Sequence, residues 1–315
     1  MKIVVLESLG VAESDAKLLI QNHLGQANEV IFYSRVDDVE VLKERVREAE
    51  VLIIANMPLK GEVIRAAGKL KMISVAFTGV DHVDLEACRE RDVLVCNAAG
   101  YSTPAVAELT FGLILSLLRN IVPLDKVTRE GKTKEGYSQS ELRGKTLGII
   151  GVGAIGIEVA KIAQVFGCNV IAYNRSQKPF LKDMGISQLS LDEVLSQSDI
   201  VSIHIPLNQE TKGLISKEKI ELMKKNSILI NTARGPIVDN KALAEALKEG
   251  KIVGAGIDVF DIEPPLPLDY PLLHSPNTTV APHIGFASKE AMVRRAEIVV
   301  TNIRKWIDGN PQNVI

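Results

Sequence analysis

Short apolar, β-branched segments alternate with helical patterns along this chain, and that alternation limits the possible folds more than any single motif does. The first series reads KIVVLE, SDAKLLIQNHLG, EVIFYS, DVEVLKERVREA, EVLIIAN, KGEVIRAAG, KMISVAF, DLEACRERD and VLVCNA. Such a series predicts a parallel sheet covered by helices. The stretch TPAVAELTFGLILSLLR, from Thr103 to Arg119, is long and mostly apolar, so a helix there has to bury itself on nearly all sides. It is expected to be a connector buried between domains or subunits. After a polar stretch from Arg129 to Arg143, a second series (KTLGIIG, NVIAYN, DIVSIHI, SILINT, VGAGIDVF, TTVAPH) predicts a second α/β unit. Local punctuation agrees with the pattern. Ser190 and Glu193 form a capping-box signature, and Gly250 closes the helical KALAEALKEG.

A length of 315 residues suits two compact domains, each with its own core. Apolar residues make up 46% and charged residues 24%, the balance of a globular chain and not of a disordered or fibrous one. With a formal net charge of -2 and basic residues interspersed with acidic ones, no nucleic-acid-binding face is indicated. Small-molecule chemistry is the better expectation. The three cysteines, Cys88, Cys96 and Cys168, have no CxxC spacing, and they read as packed thiols with neither a disulfide framework nor a metal site. MKIVVLESLG lacks the features of an export signal, and no segment has the apolar length of a membrane span. A cytoplasmic protein with no membrane partner is the expectation.

Gly151-Val152-Gly153-Ala154-Ile155-Gly156 is a GxGxxG sequence, weak alone but placed directly after the strand-like KTLGII and before the helical IEVAKIAQVFG. In a βαβ unit the first glycine allows the tight turn, the second lets backbone approach a pyrophosphate, and the third lets helix and strand pack. The helix N-terminus then stabilises the phosphate charge. At the end of the next strand, where an NAD-binding fold usually places an acid, stands Asn174, followed by Arg175, Ser176 and Lys178. Without a carboxylate a 2'-phosphate is not repelled, and an arginine can pair with it, so NADP is compatible and somewhat favoured over NAD. A solvated basic loop in an NAD enzyme is the competing reading.

Three polar groups fall at or beyond the C-terminal ends of expected strands, where such folds concentrate function: Arg234 after SILINTA, Glu263 after VGAGIDVF, and His283 after TTVAP. Reduction of a 2-keto acid needs a cation to hold the carboxylate and polarise the carbonyl, a task that suits the planar guanidinium. It also needs a proton donor for the developing alkoxide. A histidine oriented by a neighbouring carboxylate supplies one near neutral pH. His23, His82 and His274 read as non-catalytic, and His204 reads as a buried strand histidine.

The chain resembles the D-isomer-specific 2-hydroxyacid dehydrogenase family over nearly its whole length. Seven motifs in order carry the resemblance: FTGVDHVD (77–84), TPAVAE (103–108), ELRGKTLGIIGVGAIG (141–156), SIHIPLNQETKGLI (202–215), NTARGPIVD (231–239), GAGIDVFDIEPP (254–265) and NTTVAPHIGFAS (277–288). The resemblance implies that Arg234, Glu263 and His283 are catalytic. It implies cofactor contacts at Thr103, Gly151, Gly153, Ala154, Ile155, Gly156, Asn174, Arg175, Ser176, Thr232, Ala233, Asp258 and Gly285. Thr78 and Gly79 are implied as substrate-carboxylate contacts alongside Arg234 and His283. The implied fold is α/β, with two Rossmann-like or flavodoxin-like parallel-sheet domains and a cleft between them. Residues 1–98 and 284–315 would form a discontinuous substrate-binding lid, and 99–283 the dinucleotide-binding domain. A homodimer is also implied.

Tyr137 stands where members often carry Trp, which bears on packing more than on chemistry. The basic run at Arg175 to Lys178 makes the chain most similar to glyoxylate or hydroxypyruvate reductases, with D-lactate-type and phosphoglycerate-type dehydrogenases as alternatives. Asn56 to Leu59 and Tyr101 are candidate acyl-pocket residues. A reading of another class is a dinucleotide-binding corepressor, against which the compact length counts.

Overall fold

The computed structural model describes all 315 residues, and the chain divides into two compact units, Met1–Ser102 with Ala287–Ile315, and Thr103–Phe286. No single helix is long and apolar enough to cross a membrane.

In the first unit the strands are β1 (Lys2–Val5), β2 (Glu29–Phe32), β3 (Val51–Ile54), β4 (Met72–Val75) and β5 (Leu94–Cys96), all parallel, in the order β2-β1-β3-β4-β5. This is the flavodoxin-like order. VLII and MISV in β3 and β4 are wholly buried, as strands covered on both faces must be. Side-chain N-caps start two of the connecting helices, Val39–Val46 and Leu85–Glu90. Asp38 accepts from the backbone N–H of Glu40 and Val41, and Asp84 from that of Ala87, each cap being worth about 1 kcal/mol.

The last segment completes this unit. The helix Lys289–Ile307, capped by Ser288, buries Ala291, Met292, Ala296, Val299, Val300 and Ile303. Ser74 in β4 donates to the carbonyl of Val299 (3.1 Å), and Asn302 donates to the carbonyl of Asn97 (2.8 Å). Beyond the helix, an antiparallel bridge joins Val314 to Cys96 in β5.

The second unit contains β6 (Thr146–Ile150), β7 (Asn169–Tyr173), β8 (Ser187–Gln188), β9 (Ile200–Ile203), β10 (Ile228–Asn231), β11 (Gly254–Ile257) and β12 (Thr278–Val280). All are parallel, in the order β12-β11-β10-β9-β6-β7-β8. Counted within the unit, this is the dinucleotide-binding order 3-2-1-4-5-6 with one added edge strand. The expected helix spans Thr103–Arg119 and is the first element of this unit. Glycines in β11 let it approach the sheet: a Cβ on Gly256 would stand 2.9 Å from Cβ of Leu113. Its apolar face packs on the sheet, while Pro104 and Gly112 stay exposed. The capping box at Ser190 and Glu193 is present, and Gly250 takes a positive φ of 64° past the helix Asn240–Lys248.

Candidate active site

The turn after β6 has the compact geometry that its glycines require. A Cβ on Gly156 would lie 2.0 Å from the carbonyl oxygen of Gly151, so helix and strand could not close around any larger residue. Gly151 has φ 100°, and a side chain there would meet the backbone of His204 at 2.7 Å. Gly153 differs from both. It caps the helix Ala154–Val165 without a side-chain hydrogen bond, and a Cβ built on it meets nothing within 4 Å. The first N–H groups of that helix have no intrahelical acceptors, and no capping side chain bonds to them from Gly153. These are the features that a dinucleotide pyrophosphate requires, and the residues present fit one.

At the end of β7 the Asn174 side chain is held on both sides. Its Oδ1 accepts from the N–H of Val152 in the glycine turn (3.3 Å), and its Nδ2 donates to the carbonyl of Ser176 (3.0 Å). Gln188 donates to the carbonyls of Asn174 (3.1 Å) and Ser176 (3.0 Å), so the turn carrying Arg175 is clamped. The Arg175 side chain itself is exposed and pairs with Glu210, Nη1 to Oε2, at 2.6 Å. Glu210 carried no signal in the sequence, since nothing local marks a surface glutamate as the partner of a residue on another strand end.

At the ends of β10, β11 and β12 the structure brings the second group of predicted residues onto one backbone frame. Buried Asn231 shapes the turn before Arg234: its Oδ1 accepts from the N–H of Ala233 and its Nδ2 donates to the carbonyl of Arg234, both at 3.0 Å. Gly235 follows, packed so closely that a Cβ would stand 1.8 Å from the carbonyl carbon of Phe260. The Arg234 turn and the loop carrying Glu263 are thus in backbone contact. That loop is also held by Tyr270, whose hydroxyl donates to Asp261 and whose ring meets Phe260 edge-on at 5.5 Å.

His283 sits at φ 57°, a left-handed conformation uncommon for a residue with a side chain. Its position is fixed through Asp258. The N–H of His283 donates to the carbonyl of Asp258, and the N–H groups of Ile284 and Gly285 donate to the two carboxylate oxygens, all at 2.8 Å. Burial pushes the Asp258 carboxyl above its usual range, against the pull of those two N–H groups toward the charged form. Asp258, expected as a cofactor contact, is in this structure the brace of the His283 turn. The imidazole packs edge-on against Phe286 at 5.3 Å. Its Nδ1 lies 2.9 and 3.1 Å from the Glu263 carboxylate oxygens.

Thr232 is buried and hydrogen-bonded to Thr110 at 3.1 Å. Thr110 spends its hydrogen on the carbonyl of Val106, so Thr232 is the donor to it. Thr103 begins the helix Thr103–Arg119. His204 stands one residue past β9, hydrogen-bonded to Ser202 at 2.8 Å, and burial pushes its imidazole down to about 3. It cannot serve as a proton donor near neutrality. The three cysteines are buried, and burial pushes the Cys88 and Cys96 thiols up to about 11.

In the first unit, Thr78 and Gly79 lie in the loop after β4, where the Thr78 carbonyl accepts from Nδ2 of Asn97 at 2.7 Å. The neighbouring segment of candidate acyl-pocket residues is fixed by Glu7. This buried carboxylate accepts from the N–H groups of Ala55 (2.7 Å) and Met57 (2.8 Å).

Residues 111–285 match the family model described as "D-isomer specific 2-hydroxyacid dehydrogenase, NAD binding domain". The chain belongs to the D-isomer-specific 2-hydroxyacid dehydrogenases. Among its relatives, a hydroxypyruvate reductase of Blautia hydrogenotrophica is 35% identical, with 100% of this chain and 99% of the relative aligned. A glyoxylate reductase of Korarchaeum cryptofilum is 38% identical over 88% of this chain and 85% of the relative. Among solved structures, an acyclic imino acid reductase in complex with NADPH and D-Arg superposes with a TM-score of 0.91 at 30% identity, covering 100% of both chains. As a member of this family the protein is an oxidoreductase that uses a nicotinamide dinucleotide.

Proposed function

We propose that this dehydrogenase interconverts a small 2-keto acid and its D-2-hydroxy acid, with glyoxylate and hydroxypyruvate as the substrate class. The observation that carries the reading is the His283 imidazole bonded through Nδ1 to the Glu263 carboxylate, on a turn braced by Asp258. Bound dinucleotide, held at Gly151 to Gly156 and by the turn from Asn174 to Ser176, supplies the hydride when the keto acid is reduced. His283 donates the proton that the substrate oxygen needs. With Nδ1 facing Glu263, Nε2 is the nitrogen assigned to that exchange, and Glu263 fixes the ring plane. Arg234 pairs with the substrate carboxylate and polarises its carbonyl, which a fixed guanidinium does without gaining or losing a proton. Thr78 and Gly79 are carried as further carboxylate contacts on the strength of the family resemblance.

For the cofactor we favour NADP, because Asn174 replaces the usual acid and Arg175 follows it. NADPH and NADH oxidation with glyoxylate, hydroxypyruvate, pyruvate and longer keto acids tests the whole reading. The expected result is highest kcat/KM with glyoxylate or hydroxypyruvate. Tight dinucleotide binding with no turnover of any of these acids would sink it.

A further inference from the structure

Arg175 and Glu210 project from two rigid turns on opposite sides of the glycine turn. In the sheet, β6 lies between β7 and β9, so the turn after β7 and the loop after β9 flank Gly151 to Gly156. Both flanks touch it. Asn174 bonds to Val152 on one side, and the backbone of His204 stands against Gly151 on the other. The Glu210 turn is set by Asn208, whose Oδ1 accepts from the N–H groups of Glu210 and Thr211, both at 2.9 Å. Thr211 in turn donates to the carbonyl of Pro206 at 2.7 Å. Two exposed side chains held by such turns meet at 2.6 Å because their backbones place them there.

We propose that Glu210 is the residue that sets the choice between NAD and NADP, by competing with the 2'-phosphate of NADP for the Arg175 guanidinium. The inference rests on Arg175 being the group that meets the 2' position of the adenosine ribose. Asn174 leaves that strand end without the carboxylate that usually rejects a 2'-phosphate. Glu210 brings a carboxylate in from a different loop, where it pairs with the Arg175 guanidinium. A 2'-phosphate must displace this carboxylate and then tolerate its charge nearby. NADH, which has only hydroxyls there, meets neither penalty. Because the pair is exposed, its two charges interact through water, and the handicap on NADP is modest, about fivefold for charges some 4 Å apart.

The test is the dissociation constant of NADPH and of NADH, followed by fluorescence titration, for the unaltered protein, Glu210→Gln, Arg175→Ala and the double variant. Glu210→Gln is expected to tighten NADPH by about three- to tenfold while leaving NADH within about twofold. Arg175→Ala should weaken NADPH selectively, and the double variant should behave like Arg175→Ala alone. An unchanged NADPH constant in Glu210→Gln, with Arg175→Ala still selectively weakened, overturns the role of Glu210 and leaves the NADP reading intact. Equal effects of Arg175→Ala on both dinucleotides overturn the NADP reading and this inference with it.

Discussion

Nδ1 of His283 lies 2.9 Å from Oε2 of Glu263, although the imidazole is only 12% exposed and the carboxylate 67%. A carboxylate so open to water adds little to stability through its charge, since exposed ion pairs are worth about 0 to 1 kcal/mol. The pairing is therefore better accounted for by what it does to the ring than by what it does for the fold. The cost falls on the backbone instead, where the left-handed φ of His283 is held by three hydrogen bonds to Asp258.

His283→Ala should lower turnover by about a hundredfold or more through loss of general acid catalysis. Dinucleotide affinity should stay close to that of the unaltered protein. Steady-state kinetics with glyoxylate, set beside a binding titration, gives both numbers, and undiminished kcat would remove His283 from the chemistry.

Gly235 and Gly153 should respond in opposite ways to a single added methyl group. Gly235→Ala places Cβ 1.8 Å from the Phe260 backbone, which has nowhere to go, so denaturant unfolding should show a loss of about 3 kcal/mol or more. Gly153→Ala meets open space at an ordinary φ of -77° and should leave stability within about 0.5 kcal/mol. It should nevertheless weaken dinucleotide binding, because the methyl group stands at the helix N-terminus. Normal affinity in Gly153→Ala would show that the pyrophosphate does not approach there.

His204 should make the fold sensitive to acid. Its folded-state pKa is pushed down to about 3 by burial, from an ordinary value of 6.5. As pH falls below 6.5 the unfolded chain takes up a proton that the folded chain refuses. The stabilisation is thus complete above 6.5 and declines through the window down to 3, by at most about 1.4 kcal/mol per pH unit. Urea unfolding at pH 7 and pH 5 should show a steeper loss for the unaltered protein than for His204→Gln. Parallel losses would mean that His204 titrates normally.

The alternation of apolar runs with helical patterns foretold both sheets because their strands are buried and β-branched, so burial and propensity point the same way at VLII and DIVSI. Gly151 and Gly156 were legible for a similar reason: at that spacing they answer to steric needs that the structure shows, while Gly153 leaves open space at the helix start. The brace role of Asp258 was not legible. A carboxylate accepting from Ile284 and Gly285 joins residues far apart in sequence, and no local pattern records such a pair. Glu210 was missed on the same ground. The apolarity of the Thr103–Arg119 helix calls for cover on most sides, and glycines in β11 let it pack closely on the sheet of its own unit.

The tie between β4 and the helix Lys289–Ile307, seen in the Ser74 to Val299 hydrogen bond, bears on how this polypeptide matures. As the chain leaves the ribosome, Met1–Ser102 emerges first but lacks the helix that covers part of its sheet until everything through Phe286 has followed. The Thr103–Phe286 segment is contiguous and has all its strands in hand before then. The order of emergence and the order of completion are therefore reversed, and the segment synthesised first waits longest with part of its sheet uncovered.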